Sequence, residues 1–466
     1  MTESTPYGAF HFIGIGGAGM SVVAELLATQ GESVTGSDQA DGSAIDRLRR
    51  LGIEVTIGHD AANVPREATV VVSTAIRETN VELVAARQRE QRVIHRSQAL
   101  ALAARGTRFV AVAGAHGKTT TSGMLAAALG ARGIDASFAV GGVVAGFDTG
   151  AHVGRDDIFI AEADESDASF LNYHPRIALV TNVEPDHLDH YGSKEKFEQA
   201  FVDFAECIEP GGALIVCADD EGARALGNTY RSKGGRVYSY GTTGAQDCGQ
   251  DVDSHLELHH VELESGRSTA FCSFRNSDIE FQLSVGGFHN VLNACGALLV
   301  GHELGIDMRL MARALAAFRG TGRRFEFRGA VAGRQLFDDY AHHPSEVAAT
   351  LKQARTAAGQ GRVVVLFQPH LFSRTANFAS RFAREFAAAD QVIFTDIFAA
   401  REDPIEGVTS DLIASQVTHS EVVSDLREAA VRAADATGSG DICITMGAGS
   451  VTDMAAVIIE RWETTL

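Results

Sequence analysis

The run Gly114-Ala-His116-Gly117-Lys118-Thr119-Thr120-Thr121 joins an apolar stretch, 109–113, to a segment of helical character, 122–131. A loop of this kind presents successive backbone N–H groups to an anion at the start of a helix. Lys118 then neutralises charge on a phosphoryl group in transit, and the Thr119 hydroxyl is a hard oxygen ligand for Mg²⁺. The spacing is G-x-x-G-K-T. The longer G-x-x-x-x-G-K-[ST] pattern of common phosphate loops asks for Gly at 112, where this chain has Val. A chance Gly-Lys-Thr needs neither a strand before it nor a helix after it, so the context favours a nucleotide phosphate.

Further clusters sit at the ends of apolar stretches. Gly14-Ile-Gly16-Gly17-Ala-Gly19 closes the run 9–15, and Asp38 lies nineteen residues past Gly19. Such glycines let a phosphate approach the backbone, and an acid at that distance suits a ribose hydroxyl. Alone, this motif fits an NAD-dependent dehydrogenase equally well. Glu162-Ala-Asp164-Glu165-Ser-Asp167 follows the run 158–161. A carboxylate at a strand's carboxyl end is a candidate Mg²⁺ ligand, whereas most acidic runs are solvated surface. Thr181-Asn182-Val-Glu184-Pro-Asp186-His187-Leu-Asp189-His190 also follows a strand-like run, but its spacing matches no H-E-x-x-H or Cys/His zinc scheme. Asp338-Asp339-Tyr340-Ala-His342-His343-Pro344 and Pro369-His370-Leu371-Phe-Ser-Arg374 repeat the arrangement near the C-terminus. Pro344 is ordinary at a helix start. Two acids, a Tyr and two His beside it exceed what capping needs.

The elements that must position these groups alternate between strand and helix. Strands are expected at 9–15, 32–34, 69–73, 108–113, 158–161, 177–181, 213–217, 335–338, 363–368, 392–395 and 442–446. Helices are expected at 20–29, 122–131, 290–304, 308–318 and 345–358. Between 255 and 285 the pattern changes to period two, with a turn at Glu264-Ser-Gly-Arg267, which predicts antiparallel hairpins. Gly106 and Gly320-Thr-Gly322 read as linkers, with Arg323-Arg324 beside the second. The expectation is three α/β units in series, each with a mostly parallel sheet.

The chain has 466 residues, enough for two to four domains, and carries 40 Lys+Arg against 60 Asp+Glu, a net charge of −20. So acidic a surface repels nucleic acid and anionic lipid, so anionic substrates need locally concentrated cations. No apolar run reaches the length of a membrane span, about 18 residues, and the polar start shows no secretory pattern. Cysteines 207, 217, 248, 272, 295 and 443 are scattered without a C-x-x-C, which predicts free thiols in a reducing compartment.

Taken in order, Gly14-Ile-Gly-Gly-Ala-Gly-Met20, the phosphate loop, Ala161-Glu-Ala-Asp-Glu-Ser-Asp-Ala-Ser-Phe170, Asp186-His-Leu-Asp189, His289-Asn-Val-Leu-Asn-Ala294, Gly322-Arg-Arg-Phe325, Asp338-Asp-Tyr-Ala-His-His-Pro344 and Arg374-Thr375 resemble the Mur ligase family over nearly the whole chain. The ordered set carries the resemblance more than any one motif. It implies an α/β protein of three domains: N-terminal Rossmann-like (1–106), central P-loop ATPase-like with a small antiparallel sheet (107–320), and C-terminal Rossmann-like (321–466). The domains would bind a UDP-sugar, ATP and an amino acid in that order.

The implied activity is ATP-dependent ligation of L-alanine to the lactyl carboxylate of UDP-N-acetylmuramic acid through an acyl phosphate, in the cytoplasm. A sister ligase that attaches a recycled murein peptide to the same sugar is the alternative. Other classes, a dehydrogenase or a non-catalytic nucleotide sensor, leave the phosphate-loop cluster or the metal pair unexplained. The resemblance assigns Gly14, Gly16, Gly17, Gly19, Met20 and Asp38 to the UDP-sugar, and Gly114, His116, Gly117, Lys118, Thr119 and Thr120 to the phosphates. Thr119 and Glu162 would hold one Mg²⁺ and His187 a second. His289, Asn290 and Asn293 would contact adenine, with Arg323 and Arg324 on the nucleotide or transferred phosphate. Asp339, Tyr340, His342 and Arg374 would face ATP and alanine; Lys118, His187, His342 and Arg374 would be the catalytic set. Some relatives carry Arg at the position of Leu371, which leaves Arg374 to meet alanine's carboxylate alone. Implied partners are these small molecules, with no nucleic acid or membrane, in a monomer or weak homodimer.

Overall fold

The computed structural model describes all residues except 1–7, 148, 186, 187, 247, 248, 250, 252, 253, 265, 401 and 466, and only the backbone of 18, 188 and 189. Two compact units emerge from the packing. One comprises Met1–His259, Cys272–Ile279 and Leu292–Ala317; the other comprises His260–Phe271, Glu280–Val291 and Phe318–Leu466.

The first unit opens with strands β1 (Phe10–Ile13), β2 (Val34–Asp38), β3 (Glu54–Ile57), β4 (Thr69–Val72) and β5 (Val93–His95). They form a parallel sheet in the order β3-β2-β1-β4-β5. The order reverses around β1, and that switch point is where open α/β sheets take ligands. β1 is buried throughout, and the helix Ala18–Thr29 leaves the glycine turn directly after it. The expected second strand was offset: β2 begins where the expected segment ends, which makes Asp38 its last residue. The Gly36 backbone lies so close to Ile15 that a Cβ there would come within 2.6 Å of its Cδ1, so this glycine belongs to strand packing and not to a turn.

A second sheet follows with β6 (Arg108–Ala113), β7 (Ser137–Val144), β8 (Thr149–His152), β9 (Ile158–Glu162), β10 (Ile177–Val180), β11 (Ala213–Cys217), β12 (Val237–Gly241), β13 (His255–Glu264), β14 (Arg267–Phe274) and β15 (Ser277–Leu283). Its order is β15-β14-β13-β12-β11-β10-β6-β9-β7-β8. The period-two segment therefore does not form a small sheet of its own. β13 pairs in parallel with β12 and extends the central sheet, which is mixed. The five strands β6 and β9 to β12 are almost wholly apolar and buried, as strands covered on both faces must be.

The second unit carries β16 (Glu326–Val331), β17 (Arg334–Asp339), β18 (Val363–Phe367), β19 (Gln391–Phe394), β20 (Ser420–Val422) and β21 (Ile442–Met446), in the order β16-β17-β21-β18-β19-β20. Only β16 runs antiparallel to its neighbour. Cys207, Cys217, Cys272, Cys295 and Cys443 are free thiols; Cys248 lies outside the described residues. No helix among the described residues is long and apolar enough to cross a membrane.

Candidate functional site

At the N-terminal sheet, a cavity of about 840 Å³ opens over the carboxyl ends of β1 and β2, lined by Gly14, Gly16, Gly17, Met20 and Asp38 among others. The Gly16 N–H donates to Asp38 Oδ2 at 2.8 Å, so the acid at the strand end braces the glycine turn. Gly19 is not part of the lining. A Cβ there would stand 2.1 Å from Arg96 Nη1, and Arg96 in turn meets Asp164 Oδ2 at 3.1 Å. The third glycine thus makes room for the Arg96 side chain. His59, absent from the sequence-derived set, lines the same cavity.

The phosphate loop turns on Gly114 (φ +131°) and Gly117 (φ +87°), both in backbone regions that residues with a side chain rarely adopt. At Gly114 a Cβ would strike Thr181 Oγ1 at 2.2 Å; at Gly117 it would meet Asn293 Oδ1 at 2.9 Å. Asn293 therefore stands beside the loop. The loop's shape is held from β10's end: the His116 N–H donates to Asn182 Oδ1 (2.9 Å), and Thr181 Oγ1 donates to His116 O (2.5 Å). His116 Nε2 lies 3.6 Å from Glu184. These residues come from the run after β10 that matched no metal scheme, and holding the loop is the use the structure gives them. Thr120 is buried in the first turn of the helix Lys118–Ala131.

Lys118 Nζ sits 2.8 and 2.9 Å from the two oxygens of buried Glu165 and 2.6 Å from Gly114 O. Burial pulls the ammonium's pKa down, but Glu165 and Asp164 outweigh it and hold Lys118 above its ordinary value. Burial likewise works to raise Asp164, yet Lys118 and Arg96 hold that carboxyl down at about 2. Thr119 Oγ1 donates to Glu162 Oε2 at 3.0 Å, and the Gly141 N–H donates to Glu162 Oε1 at 2.6 Å. A hydroxyl and a carboxylate oxygen side by side at a helix start form a hard-oxygen donor set, which fits Mg²⁺. His187 and Asp186 lie outside the described residues.

In the second unit, Asp338 is fully buried and accepts from Thr445 Oγ1 (2.6 Å) and Thr452 Oγ1 (2.7 Å), a structural role. Asp339 accepts from the Phe325 and Ala341 N–H groups; burial lifts its pKa to about 6. Arg323 donates to Gly447 O at 2.6 Å and lies over the Tyr340 ring, 4.7 Å from its centre. Arg324 is 5.3 Å from the same ring and 3.4 Å from Glu346. His342 Nδ1 meets Tyr340 O at 2.9 Å, and burial, with Arg374 and His370, takes its pKa down to about 3. His342 is therefore a neutral acceptor and a weak base. Arg374 is buried on the first turn of the helix Phe372–Phe386, with Nη1 3.1 Å from His370 Nδ1. Leu371, just before it, has φ +69°, which strains a residue with a side chain. His289 is half-buried with a pKa near 4, loss of solvation being the main cause and Arg324 and Lys352 adding to it; Asn290 donates to Gly286 O at 2.7 Å.

Three family models cover this architecture: "Mur ligase family, catalytic domain" over 9–108, "Mur ligase middle domain" over 112–301, and "Mur ligase, glutamate ligase domain" over 323–449. The chain belongs to the Mur ligase family. This Mur ligase is 46% identical over 463 residues to a protein of Renibacterium salmoninarum named UDP-N-acetylmuramate–L-alanine ligase, covering 99% of this chain and 97% of that one. Among solved structures, the UDP-N-acetylmuramate-alanine ligase of Thermotoga maritima matches with a TM-score of 0.80 and 27% identity, over 98% of this chain and 100% of that one. A murein peptide ligase of Psychrobacter arcticus shares the fold, with a TM-score of 0.70 and 23% identity over 98% of each chain. The three-domain α/β architecture is the family's.

Proposed function

We propose that this chain is an ATP-dependent ligase that joins L-alanine to the lactyl carboxylate of UDP-N-acetylmuramic acid, a step in building peptidoglycan precursors. The observation that carries the reading is the end-to-end likeness to the Renibacterium and Thermotoga alanine ligases. In this reading residues 1–106 take the UDP-sugar, 107–320 ATP and 321–466 the amino acid, in the cytoplasm where these substrates are made.

A carboxylate does not accept an amine directly, because oxide would have to leave. ATP's γ-phosphoryl group passes to an oxygen of the lactyl carboxylate, giving an acyl phosphate and ADP. The neutral amine of alanine then attacks the carbonyl carbon, phosphate departs with the C–O bond, and the amine's proton goes to solvent. Lys118 and the N–H groups of 114–120 meet the phosphates at the helix N-terminus. Glu165 holds Lys118 in place before ATP arrives. Thr119 and Glu162 would hold Mg²⁺, which offsets the charge of the transferring phosphoryl group when bound; His187 is the candidate for a second ion. Asn293, His289 and Asn290 are assigned to adenine. Arg324 and Asp339 are assigned to the nucleotide side, with Arg323 steadying Tyr340. Arg374 takes alanine's carboxylate. His342, neutral, accepts a hydrogen bond from the amine and leaves deprotonation to water.

The sister activity, attaching a peptide, is favoured by nothing beyond the shared fold. Supplying ATP, Mg²⁺ and UDP-N-acetylmuramic acid with either L-alanine or L-alanyl-γ-D-glutamyl-diaminopimelate tests the choice. ADP release with alanine alone is expected; turnover with the tripeptide and none with alanine overturns the reading. Arg374→Ala should raise KM for alanine at least tenfold, since it removes a bidentate partner, while the KM for ATP changes little.

A further inference from the structure

The helix Phe372–Phe386 carries Arg374, to which alanine's carboxylate is assigned, in its first turn. The first N–H groups of a helix need acceptors from outside it. Leu371, the residue before this helix, supplies no side-chain cap. It also holds a left-handed backbone (φ +69°), which strains a residue with a side chain. A start that is strained and uncapped from within has to be held by another segment.

The loop after β19 holds it. Glu402 lies 29 residues beyond Ser373, and its two oxygens take both of that residue's donors. Oε2 accepts from the Ser373 N–H at 2.9 Å, and Oε1 accepts from the Ser373 hydroxyl. An acid at this end also complements the helix dipole. The same loop grips the other side of Leu371. Phe398 forms a parallel bridge with His370: the Phe398 N–H donates to Pro369 O at 2.8 Å, and the Leu371 N–H donates to Phe398 O at 3.0 Å. The Phe398 and His370 rings stack, with centres 5.9 Å apart and planes 16° apart. His370 Nδ1 accepts from Arg374 Nη1, since a guanidinium only donates. The Glu402 N–H donates to Ala399 O at 2.9 Å, which turns Glu402 back toward Phe398. One loop thus fixes Arg374 twice, its backbone through Ser373 and its guanidinium through His370. All of these residues belong to the second unit. With Leu at 371, a substrate carboxylate depends on Arg374 alone, and a bidentate pair tolerates little displacement.

We propose that Glu402 is a positioning residue for amino-acid capture: by capping the helix start at Ser373, it holds Arg374 where the guanidinium meets the substrate's carboxylate. The assignment rests on Arg374 binding alanine's carboxylate, as the proposed function has it.

Steady-state kinetics on the full chain test it, with the KM values for L-alanine, ATP and UDP-N-acetylmuramic acid measured separately. Glu402→Ala should raise the KM for alanine about tenfold, part of the roughly 10²-fold that a 1 Å misplacement costs. The other two KM values, and kcat at saturating alanine, should change little. Glu402→Gln keeps an acceptor for the Ser373 N–H and should recover most of the loss. Ser373→Ala gives up the hydroxyl bond alone and should raise the same KM severalfold; it carries the test if Glu402→Ala does not fold. In an Arg374→Ala background, Glu402→Ala should add nothing, because no guanidinium is left to place. A folded Glu402→Ala with the wild-type KM for alanine, an equal rise in all three KM values, a glutamine variant no better than alanine, or full additivity with Arg374→Ala each overturn the proposal. Wild type that turns over no alanine overturns the proposed function itself and removes the carboxylate that this assignment needs.

Discussion

Glu165→Gln isolates what holds the phosphate loop's lysine. Lys118 Nζ lies 2.8 and 2.9 Å from the two Glu165 oxygens, and the two side chains are 16% and 2% exposed. Glutamine keeps the shape and removes the charge. Taking one partner from a buried ion pair costs about 3–5 kcal/mol. The partial exposure of Lys118 points to the lower end, about 3 kcal/mol of lost stability in the first unit. ATP changes the balance, because its phosphates offer Lys118 another counter-charge. If bound phosphate restores half of that loss, the nucleotide binds the variant about tenfold tighter than wild type, since 1.4 kcal/mol is a factor of ten. Two measurements check this: unfolding followed by far-UV circular dichroism, and calorimetry with a non-hydrolysable ATP analogue and Mg²⁺. Tryptophan fluorescence is the wrong probe, because the single tryptophan, Trp462, belongs to the second unit. A folded Glu165→Gln that is less stable yet binds the analogue no tighter than wild type refutes the idea that phosphate and Glu165 compete for Lys118.

Lys118→Ala should lower kcat by about 10²–10³ or more at saturating ATP with the fold retained; near-normal turnover removes the loop from the mechanism. Gly19→Ala should destabilise by about 1–2 kcal/mol, because a Cβ 2.1 Å from Arg96 Nη1 displaces the Arg96–Asp164 pair. In an Arg96→Ala background the penalty should vanish; if it persists and UDP binding falls instead, the glycine serves a phosphate after all. In the second unit His342 has a pKa near 3 and His289 near 4 when folded, against 6.5 for the free side chain. Between pH 6.5 and about 4 the unfolded chain binds protons that the folded one refuses, so stability falls as pH falls, by up to about 1.4 kcal/mol per pH unit for each group. Asp339, raised from 3.8 to about 6, works in the opposite direction between those values. Urea titrations followed by Trp462 fluorescence should show a shallower acid loss in His342→Asn; an unchanged slope means that His342 takes up protons when folded.

The sequence located the strand ends better than the partnerships made at them. Strands such as Arg108–Ala113 and Ile158–Glu162 were legible because a strand buried on both faces must be apolar along its length. The short edge strand Glu54–Ile57 was not, since its residues are mostly exposed and carry no such run. The hairpin segment was read correctly as period two, but its joining to the central sheet depends on the parallel register of Ser239 with His255, which no local pattern encodes. Lys118, Thr119 and Glu162 stand out in the sequence by type and spacing, and Thr119 and Glu162 do meet at the loop. His59 and Glu402 do not, because they meet their partners only through folding: 22 residues separate His59 from Ser37, and 29 separate Glu402 from Ser373.

The glycines make the same point from the other side. A glycine-rich turn before a helix invites one explanation, that each missing Cβ admits a phosphate. In this fold three of them admit protein atoms: Asp38 Oδ2 would lie 3.0 Å from a Cβ at Gly16, Thr181 Oγ1 2.2 Å from one at Gly114, and Arg96 Nη1 2.1 Å from one at Gly19. Each of these neighbours bears on a site. Asp38 braces the turn over the cavity, Thr181 ties down His116 O, and Arg96 reaches Asp164 beside Lys118. The glycines therefore act first by letting polar side chains close on the backbone. Gly19 packs on Arg96, Arg96 pairs with Asp164, and the Asp164 charge acts on Lys118, so the N-terminal glycine turn is linked to the phosphate loop inside one compact unit. A motif search sees two separate anion sites there; the packing makes their supporting charges neighbours.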